Sequence, residues 1–347
     1  MRGYWTLSSP PFVLENRHTM WQPALINITI PVFNRPERTL ATIEGIRKTD
    51  TSIPYVVTVV DNGSGRETVD VLLRLKAEGL IDTLLLVESN LGVSLAANLG
   101  WQAVESELYL KLDNDMQLLD PDWLAGLFAR WNAVGTHSAI APAWREELYR
   151  QGTLIQTPAG ELRRCPDSIA GSAMFVPSSV SDILGYWTED YGLYGAEDGD
   201  YGVRMRLAGF PQYYYLPEGI FRNLGETPAE DTYEKAGIDK SEIMGGLYAG
   251  KDGAPGPFVL NALLYSLKVR SLRVPLKYEL VDVKEDCRVV LRVSRRYREV
   301  RKGLHICSEL LRKLCPGGGQ AISVSPQVVK RMRGIMEDHG DNPLVPF

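Results

Sequence analysis

The sequence lacks the features that mark several common classes of protein. Its 347 residues include only four cysteines, and no two of them form a C-x-x-C pair, so neither a disulfide framework nor a cysteine zinc site is expected. No apolar run approaches the roughly 18 residues that a membrane-spanning helix needs, and the first residues lack the basic and then apolar pattern of a signal peptide. The net charge of -5 does not supply the basic surface typical of nucleic-acid binding. We therefore expect a cytoplasmic protein with no nucleic-acid partner.

Two phosphate-binding patterns are also absent. No G-x-G-x-x-G follows the first predicted strand, and no G-x-x-x-x-G-K-[ST] occurs anywhere. In dinucleotide enzymes and P-loop NTPases these glycines let the backbone approach the phosphates closely, so neither class is expected. The hydrophobic content of 44% and the charged content of 23% are typical of a globular protein, and the length allows one large domain with an appendage.

From residue 26 onward, apolar runs of strand length alternate with segments of helical period. The runs INITIPVF, YVVTVV, DTLLLVE and ELYLKL predict four buried strands. The segments ERTLATIEGIRK, RETVDVLLRLKAEG and SLAANLGWQAVE predict the helices between them. A fourth helix is predicted in DPDWLAGLFARWN, with Asp120 as its N-cap and Pro121 at its first position. This alternation predicts an α/β fold with a mostly parallel sheet flanked by helices.

Each of the four predicted strands leads into a short segment that contains polar residues. These segments span positions 31–35, 61–64, 89–92 and 113–115. Because open parallel sheets bind their ligands at the carboxyl ends of the strands, we expect these four segments to lie along one ligand-binding rim.

Asp113 and Asp115 form a D-x-D pattern at the last of these strand ends, with Asn114 between them. Hard carboxylate oxygens suit Mg²⁺ or Mn²⁺, which take one or two protein carboxylates and complete their shell with phosphate oxygens and water. The pattern therefore predicts a metal site for a diphosphate-bearing ligand. The alternative is a turn in which the Asp and Asn side chains bond their own backbone.

A second acidic cluster, Glu197, Asp198 and Asp200, follows the glycine-rich stretch YGLYGA and opens a predicted helix. Acidic residues at a helix N-terminus stabilise the helix dipole, which could account for one or two of them. Three acids in four residues indicate more than that. A carboxylate placed here can act as a general base that takes a proton from an acceptor hydroxyl.

Five motifs in order give the sequence a resemblance to a known family. ITIPVFNRPERT, VVDNGS, NLGVSLAANLG, KLDNDM and GAEDGDYGVRMRLAGF resemble those of family 2 glycosyltransferases of the GT-A fold, over about residues 25–225. The resemblance implies inverting transfer of a sugar, of the hexosyl or N-acetylhexosaminyl type, from a nucleotide-diphosphate sugar to a glycan, lipid-linked or protein acceptor. UDP is the nucleotide expected, and polysaccharide biosynthesis the expected role.

The resemblance also implies roles for individual residues on the donor side. By position, Asp61 would contact the nucleotide base, Asp113 the sugar or ribose, and Asp115 the metal, with Asp113 as its second ligand. The residues expected to bind the donor nucleotide are Pro31, Phe33, Asn34, Arg35, Asp61, Asn90, Gly92, Asn98, Asp113 and Asn114.

On the acceptor side, the resemblance makes Asp198 the catalytic base and Glu197 the residue that orients the acceptor or sugar. Many relatives supply a later histidine to the metal, but here the comparable stretch GIFRNLGET contains none. Arg222 could neutralise diphosphate at that place, or Asn223 could ligate the metal. The residues expected to contact the acceptor or sugar are Trp187, Tyr194, Asp200, Arg222 and Asn223.

Two other function classes remain as alternatives. A sugar nucleotidyltransferase also has metal-binding acids on an α/β sheet, but it needs a glycine-rich basic loop after the first strand, and PVFNRPERT has no glycine. A non-catalytic GT-A module that binds sugar nucleotides would not need Asp113, Asp115 and Asp198 together.

The expected domains are an N-terminal arm (1–24), a GT-A domain (25–250) and a mainly helical C-terminal extension (251–347). The GT-A domain would divide into a nucleotide-binding half (25–118) and an acceptor half (119–250). In the extension, a seam of apolar residues spaced by four and three from Val293 predicts a long amphipathic helix with a basic opposite face, over 288–313. This helix could be a solvated surface, a homodimer contact or a peripheral contact with the inner face of a membrane.

Overall fold

A computed structural model describes residues 25–135, 137–144, 146–224, 240–249 and 255–303. The predicted N-terminal arm, most of the glycine-rich boundary near residue 250 and the part of the basic helix after 303 lie outside these ranges. Every helix in the described part of the chain is too short or too polar to span a bilayer.

Strands and helices alternate through the first half of the chain, as the sequence predicts. The strands are β1 (Ile26–Val32), β2 (Tyr55–Asn62), β3 (Thr83–Val87), β4 (Leu108–Leu112), β5 (Met116–Leu118), β6 (Ala139–Pro142), β7 (Thr153–Thr157), β8 (Gly160–Cys165), β9 (Ala173–Pro177), β10 (Gln212–Tyr215), β11 (Phe221–Asn223), β12 (Tyr278–Val283) and β13 (Val289–Val293). The helices are α1 (Pro36–Arg47), α2 (Arg66–Ala77), α3 (Val93–Ala103), α4 (Trp123–Val134), α5 (Glu146–Gln151), α6 (Ser178–Leu184), α7 (Glu197–Ala208), α8 (Lys240–Tyr248), α9 (Pro257–Ser266) and α10 (295–303).

A nine-stranded sheet forms the centre of the molecule, in the order β3-β2-β1-β4-β9-β6-β10-β8-β7. The strands β3, β2, β1 and β4 are parallel neighbours, so their carboxyl ends share one edge. Antiparallel strands enter with β9, which pairs with both β4 and β6. The predicted α/β fold, a mostly parallel sheet flanked by helices, is confirmed.

The central strand β1 shows how both faces of the sheet are covered. Ile26, Ile28 and Ile30 are fully buried in the main apolar cluster, which also includes residues of α1 and α2. The opposite face carries Asn27 and Thr29, which lie under α3. Asn27 Nδ2 donates to the carbonyl oxygen of Gly100 at 2.9 Å, which satisfies a buried polar group and fixes α3 on the sheet.

In the described part of the C-terminal region, a hairpin lies where the sequence predicts the start of the basic helix. β12 and β13 form an antiparallel hairpin, so Arg288 and Arg292 lie in or beside a hairpin and the helix begins only at 295. Leu280 and Leu291 of the hairpin pack against the apolar cluster that includes residues of α3. Alternate residues of the run VVLRV, Val289 and Leu291, face this cluster, as expected for a strand. The apolar spacing that predicts one helix therefore spans the end of β13 and the start of α10.

The fourth helix begins later than predicted. Asp120 accepts a hydrogen bond from the backbone of Asp122 at 2.9 Å, and α4 starts at Trp123. Asp120 therefore shapes the turn before the helix instead of capping it.

Candidate active site

The ends of the parallel strands are tied together by side-chain hydrogen bonds. The Asn34 backbone N–H donates to Ser64 Oγ at 2.7 Å, and Asn34 Oδ1 accepts from the Gly65 N–H at 2.9 Å. Asn62 Nδ2 donates to Asn90 Oδ1 at 2.9 Å, which joins the next pair of loops. Asn90, Asn34 and their neighbours thus form a continuous rim, as the strand order predicts.

The turn after β1 has an unusual backbone. Asn34 and Arg35 both have a left-handed conformation, with φ of 59° and 62°. Such conformations in residues other than glycine cost of order 1–3 kcal/mol each and cluster at functional sites. Here the turn places Arg35 Nη1 3.0 Å from Asp115 Oδ2. Asn114 Nδ2 donates to Thr39 Oγ1 of α1 at 2.8 Å, which holds the D-x-D turn against the same segment.

Asp61 is buried at the end of β2. Burial raises the pKa of its carboxyl, an effect opposed by hydrogen bonds from Ser64. Its Oδ2 accepts from the Ser64 N–H at 3.2 Å, whereas Oδ1 has no hydrogen-bond partner within the described residues. A buried carboxylate oxygen without a partner is costly, so it is available for a donor group on a ligand.

Lys111 is a site residue that the sequence reasoning missed. It lies in β4 with only 2% of its surface exposed, and its Nζ donates to Asp113 Oδ1 at 2.7 Å and to the Gly171 carbonyl oxygen at 2.9 Å. The only sequence signal is a lysine in the middle of the apolar run ELYLKL.

The D-x-D turn and the second acidic cluster meet through Gly171 and Ser172. The Asp113 backbone N–H donates to the Ser172 carbonyl oxygen at 2.8 Å. The Gly171 N–H donates to Asp198 Oδ2 at 3.0 Å, and a Cβ at Gly171 would lie 3.0 Å from the Asp198 Cβ. Trp144 Nε1 donates to Ser172 Oγ, which places a partly exposed indole on the same segment.

Asp198 is buried in the first turn of α7, where its Oδ1 accepts from the Gly199 N–H at 2.7 Å. Burial and, after it, the neighbouring Glu197 carboxylate raise the pKa of its carboxyl to about 8, against the opposing effect of hydrogen bonds from Gly171 and Gly199. Burial also raises the pKa of Glu197, whereas the positive charge of Lys111 lowers it. Ala196, just before the helix, has a left-handed backbone with φ 61°. Two adjacent carboxyls with raised pKa values at a strained turn are typical of a catalytic site.

Comparison with known proteins finds a match for the first part of the chain. Residues 27–150 match the family model described as Glycosyl transferase family 2. This part of the chain is similar to glycosyltransferase family 2. No curated protein matches the sequence significantly.

One solved structure with a TM-score above 0.5 shares the fold of this chain. A mannosyltransferase from Pyrobaculum calidifontis, in complex with GDP-Man and Mn²⁺, matches with a TM-score of 0.51 and 19% identity over 71% of this chain and 70% of that chain. GalNAc-T7, solved with UDP, GalNAc and Mn²⁺, has a TM-score of 0.45 and 14% identity over 55% and 42% of the two chains. S. aureus TarS matches with a TM-score of 0.44 and 14% identity over 60% of this chain and 38% of that chain. This chain therefore spans less than half the length of GalNAc-T7 and of TarS. The fold is the GT-A fold of glycosyltransferases.

A metal site at the D-x-D turn would rest on few protein ligands. Asp115 is buried, and burial together with the nearby Asp113 carboxylate raises its pKa. Its Oδ1 has no hydrogen-bond partner among the described residues, while Oδ2 pairs with Arg35. Within those same residues, no three His, Cys, Asp or Glu side chains cluster as a metal cage. One unpartnered carboxylate oxygen fits a Mg²⁺ or Mn²⁺ ion whose remaining ligands are diphosphate and water.

The segment in which relatives have the histidine lies beside the backbone of the D-x-D turn. β11 pairs with β5, so that Asn223 is opposite Met116, and the Leu224 N–H donates to the Asp115 carbonyl oxygen at 3.0 Å. Arg222 is exposed opposite Gln117. The structure therefore brings both candidate replacements for the histidine next to the D-x-D turn.

Two residues predicted to contact the acceptor or sugar are placed elsewhere, which corrects the prediction. Trp187 is fully buried and packs against Trp101 and Tyr201, so no ring face is open to a sugar. Asp200 is buried in an ion pair with Arg204, with 2.6 Å between Oδ1 and Nε. Both side chains belong to the core behind the site.

Other predicted residues support the site from within the fold. Asn98 of α3 is buried and donates to Glu189 Oε1 at 2.8 Å and to the Trp187 carbonyl oxygen at 2.9 Å. It thereby holds the loop between α6 and α7 (185–196), and no amide hydrogen is left for a nucleotide, which corrects the prediction that Asn98 binds the donor. Pro31 is buried within β1, opposite Val60. Phe33 and Tyr194 are partly exposed, the first directly after β1 and the second in the loop before α7.

The C-terminal part of the chain holds that same loop. Arg270 Nη2 pairs with Asp190 Oδ2 at 2.7 Å, and the Tyr297 hydroxyl donates to Asp190 Oδ1 at 2.9 Å. Asn261 of α9 donates to the Tyr191 hydroxyl at 3.0 Å. The described part of the C-terminal region thus holds the loop between α6 and α7 in place.

Gly92 lies directly against the backbone of Gly192, in the loop before α7. Its backbone, with φ 104° and ψ 155°, lies in a region that essentially only glycine populates, and a Cβ there would overlap the Gly192 carbonyl oxygen. We expect Gly92→Ala to lower the free energy of unfolding by about 3 kcal/mol, from strain and overlap together. Gly79→Ala is the matched control, because Gly79 also has a positive φ but a Cβ there meets nothing within 4 Å. Equal losses for the two variants in urea unfolding would contradict the close contact.

Proposed function

We propose that the chain transfers a sugar from a nucleotide-diphosphate sugar to an acceptor hydroxyl, with inversion at the anomeric carbon and Asp198 as the general base. The observation that carries this proposal is the connection of Asp198 to the D-x-D turn through Gly171 and Ser172. It sets a buried carboxyl with a pKa of about 8 beside the rim where the donor is expected. A general base works best with a pKa near the working pH.

The donor nucleotide is proposed to lie along the rim formed by the loops after β1, β2 and β3. Asp61 Oδ1 and Asn90 Nδ2 are buried polar atoms without hydrogen-bond partners in the described part of the chain. An acceptor and a donor of this kind suit the hydrogen-bonding edge of a nucleotide base. We expect the nucleotide to be UDP, and the sugar to be a hexose or an N-acetylhexosamine.

The diphosphate is proposed to lie at the D-x-D turn, where Asp115 would hold Mn²⁺ or Mg²⁺ through Oδ1. When bound, the metal would supply positive charge that stabilises the departing diphosphate. Arg35, 3.0 Å from Asp115 Oδ2, provides a protein cation at the same place. Asp113 is proposed to contact the sugar or ribose, held by Lys111.

On the acceptor side, Asp198 is proposed to take the proton of a hydroxyl as that oxygen attacks the sugar. A single displacement of this kind inverts the anomeric centre and needs no covalent intermediate. The acceptor is a glycan, a lipid-linked sugar or a protein hydroxyl.

The test is a thermal-shift screen with UDP-glucose, UDP-N-acetylglucosamine and GDP-mannose, each with and without Mn²⁺. The true donor at about 100 times its Kd should stabilise the fold by about 2.7 kcal/mol. We expect Asp115→Asn to lose the part of this stabilisation that depends on Mn²⁺, because it removes a carboxylate ligand.

The control for this variant is Asp70→Asn, since Asp70 is an exposed residue of α2 far from the D-x-D turn. It should keep the whole effect of donor and metal. Stabilisation of Asp115→Asn equal to that of the wild type would remove Asp115 as a metal ligand. Donor binding without any sugar transfer would favour the non-catalytic alternative.

A further inference from the structure

Lys111 is charged and buried in the middle of the sheet, which demands compensation. Moving an ammonium out of water costs several kcal/mol unless it is paired and hydrogen-bonded. The Asp113 carboxylate supplies this compensation, with 2.7 Å between Lys111 Nζ and Asp113 Oδ1. Lys111 is therefore a fixed positive charge under the acidic groups of the site.

The contacts of Lys111 reach both acidic clusters. Its Nζ is 2.7 Å from Asp113 Oδ1 on the donor side and 2.9 Å from the Gly171 carbonyl oxygen. The same Gly171 donates its N–H to Asp198 Oδ2 at 3.0 Å. In space, Gly171 alone therefore lies between Lys111 and the proposed base Asp198. Hydrogen bonds with Lys111 of β4 and with Asp198 of α7 hold the Gly171–Ser172 segment from two sides.

The charged groups around Asp198 come from several elements. Glu197 is adjacent on α7 and repels its ionised form, whereas Lys111 on β4 attracts it. Asp198 in turn acts electrostatically on Tyr214 of β10 and Tyr248 of α8. Both tyrosines have pKa values raised by burial, so they are neutral when Asp198 ionises. Lys111 is the cation that opposes the repulsion of Glu197.

We propose that Lys111 is a positioning residue of the reaction, which holds Asp113 and the Gly171 segment in place and favours the ionised form of Asp198. This inference rests on the proposed role of Asp198 as the base. It assigns a task to a residue that touches neither the donor nor the acceptor.

The test begins with a measurement that needs no substrate. In a double-mutant cycle, Lys111→Met, Asp198→Asn and the double variant are unfolded in urea at pH 6 and pH 9. At pH 9 Asp198 is ionised, so Lys111→Met should lower the urea midpoint at least twice as much in the Asp198 background as in the Asp198→Asn background. At pH 6 the coupling should shrink. In a control cycle, Asp70→Asn takes the place of Asp198→Asn. Its effect on the urea midpoint should add to that of Lys111→Met without coupling.

The second measurement is the pH dependence of nucleotide release from UDP-glucose or GDP-mannose with Mn²⁺. In Lys111→Met we expect the acidic limb to move to higher pH and the rate at pH 7 to fall at least tenfold. Lys111→Arg keeps the positive charge, so the acidic limb of its pH profile should stay at the wild-type pH. Should Lys111→Met not fold, Lys111→Gln keeps a donor for Gly171 without the charge and should show the same shift. Lys284→Met, on the exposed hairpin, should match the wild type.

The two measurements separate the proposal from the proposed function. Additive unfolding effects of Lys111→Met and Asp198→Asn at pH 9 would overturn the role of Lys111, as would an acidic limb that does not move. Coupling in the unfolding cycle without sugar transfer from either nucleotide would instead uphold the charge link and refute the proposed function.

Discussion

An Asp198→Asn variant is expected to lose about 10²–10⁴-fold in kcat, because a positioned general base contributes this much to a proton transfer. Asparagine keeps the size of the side chain and one oxygen for the Gly171 or Gly199 N–H, but it cannot take a proton. The donor rim is formed by other elements, so the Kd for the nucleotide sugar should change little. Steady-state rates of sugar transfer, together with calorimetric titration of the donor, check both expectations.

Asp70→Asn provides the matched comparison, since it makes the same chemical change on the exposed face of α2. It should leave both kcat and donor affinity at wild-type values. Turnover of Asp198→Asn close to that of the wild type would exclude Asp198 as the base. Loss of donor binding in parallel with loss of turnover would indicate a collapsed site instead of a missing base.

The pH dependence of the wild type follows from the same residue. The base must be ionised to accept a proton, and its pKa of about 8 keeps it mostly protonated below that pH. We therefore expect kcat/KM to rise with pH and to level off above about 8, and Asp198→Asn to lose this dependence. A flat profile between pH 6 and 9 in the wild type would show that another group acts as the base.

The fold and the outline of the site could be predicted because strand ends are encoded locally. An apolar run followed by Asp61-Asn62 or by Asp113-Asn114-Asp115 identifies both the strand and the edge to which it leads. Since the parallel strands are neighbours, the sequence order of these ends suffices to place them on one rim.

Burial and pairing across distant parts of the chain could not be read in the same way. Trp187 precedes the acidic cluster, but its place is set by Trp101 of α3, about 90 residues away. Lys111 looks like an interruption of an apolar run until Gly171 and Asp113 are seen beside it. Asp198 and Asp200 are alike in sequence. Two residues apart on an α-helix they point in nearly opposite directions, so only one of them can face the site.

Asp200 points into the core, and this has a large expected effect on stability. Its carboxylate pairs with Arg204 one turn later, and both side chains are at most 1% exposed. Arg204 also donates to the carbonyl oxygens of Leu184 and Tyr186 at 2.8 and 2.9 Å. The Tyr191 hydroxyl donates to Asp200 Oδ2 at 2.7 Å. This pair therefore joins α7 to the end of α6 and to the loop between α6 and α7.

We expect Arg204→Met to lower the free energy of unfolding by about 3–5 kcal/mol, because it leaves the Asp200 charge buried and unpaired. Combining it with Asp200→Asn should cost less than the sum of the two single changes, since the second change removes that charge. Arg295→Met breaks an exposed pair of the same i,i+4 spacing, with Glu299 at 2.9 Å, and should cost less than about 0.5 kcal/mol. Urea unfolding measures all four variants. If Asp200 contacted the acceptor, Asp200→Asn would raise the KM for the acceptor at unchanged stability, and that result would reverse the assignment of Asp200 to the core.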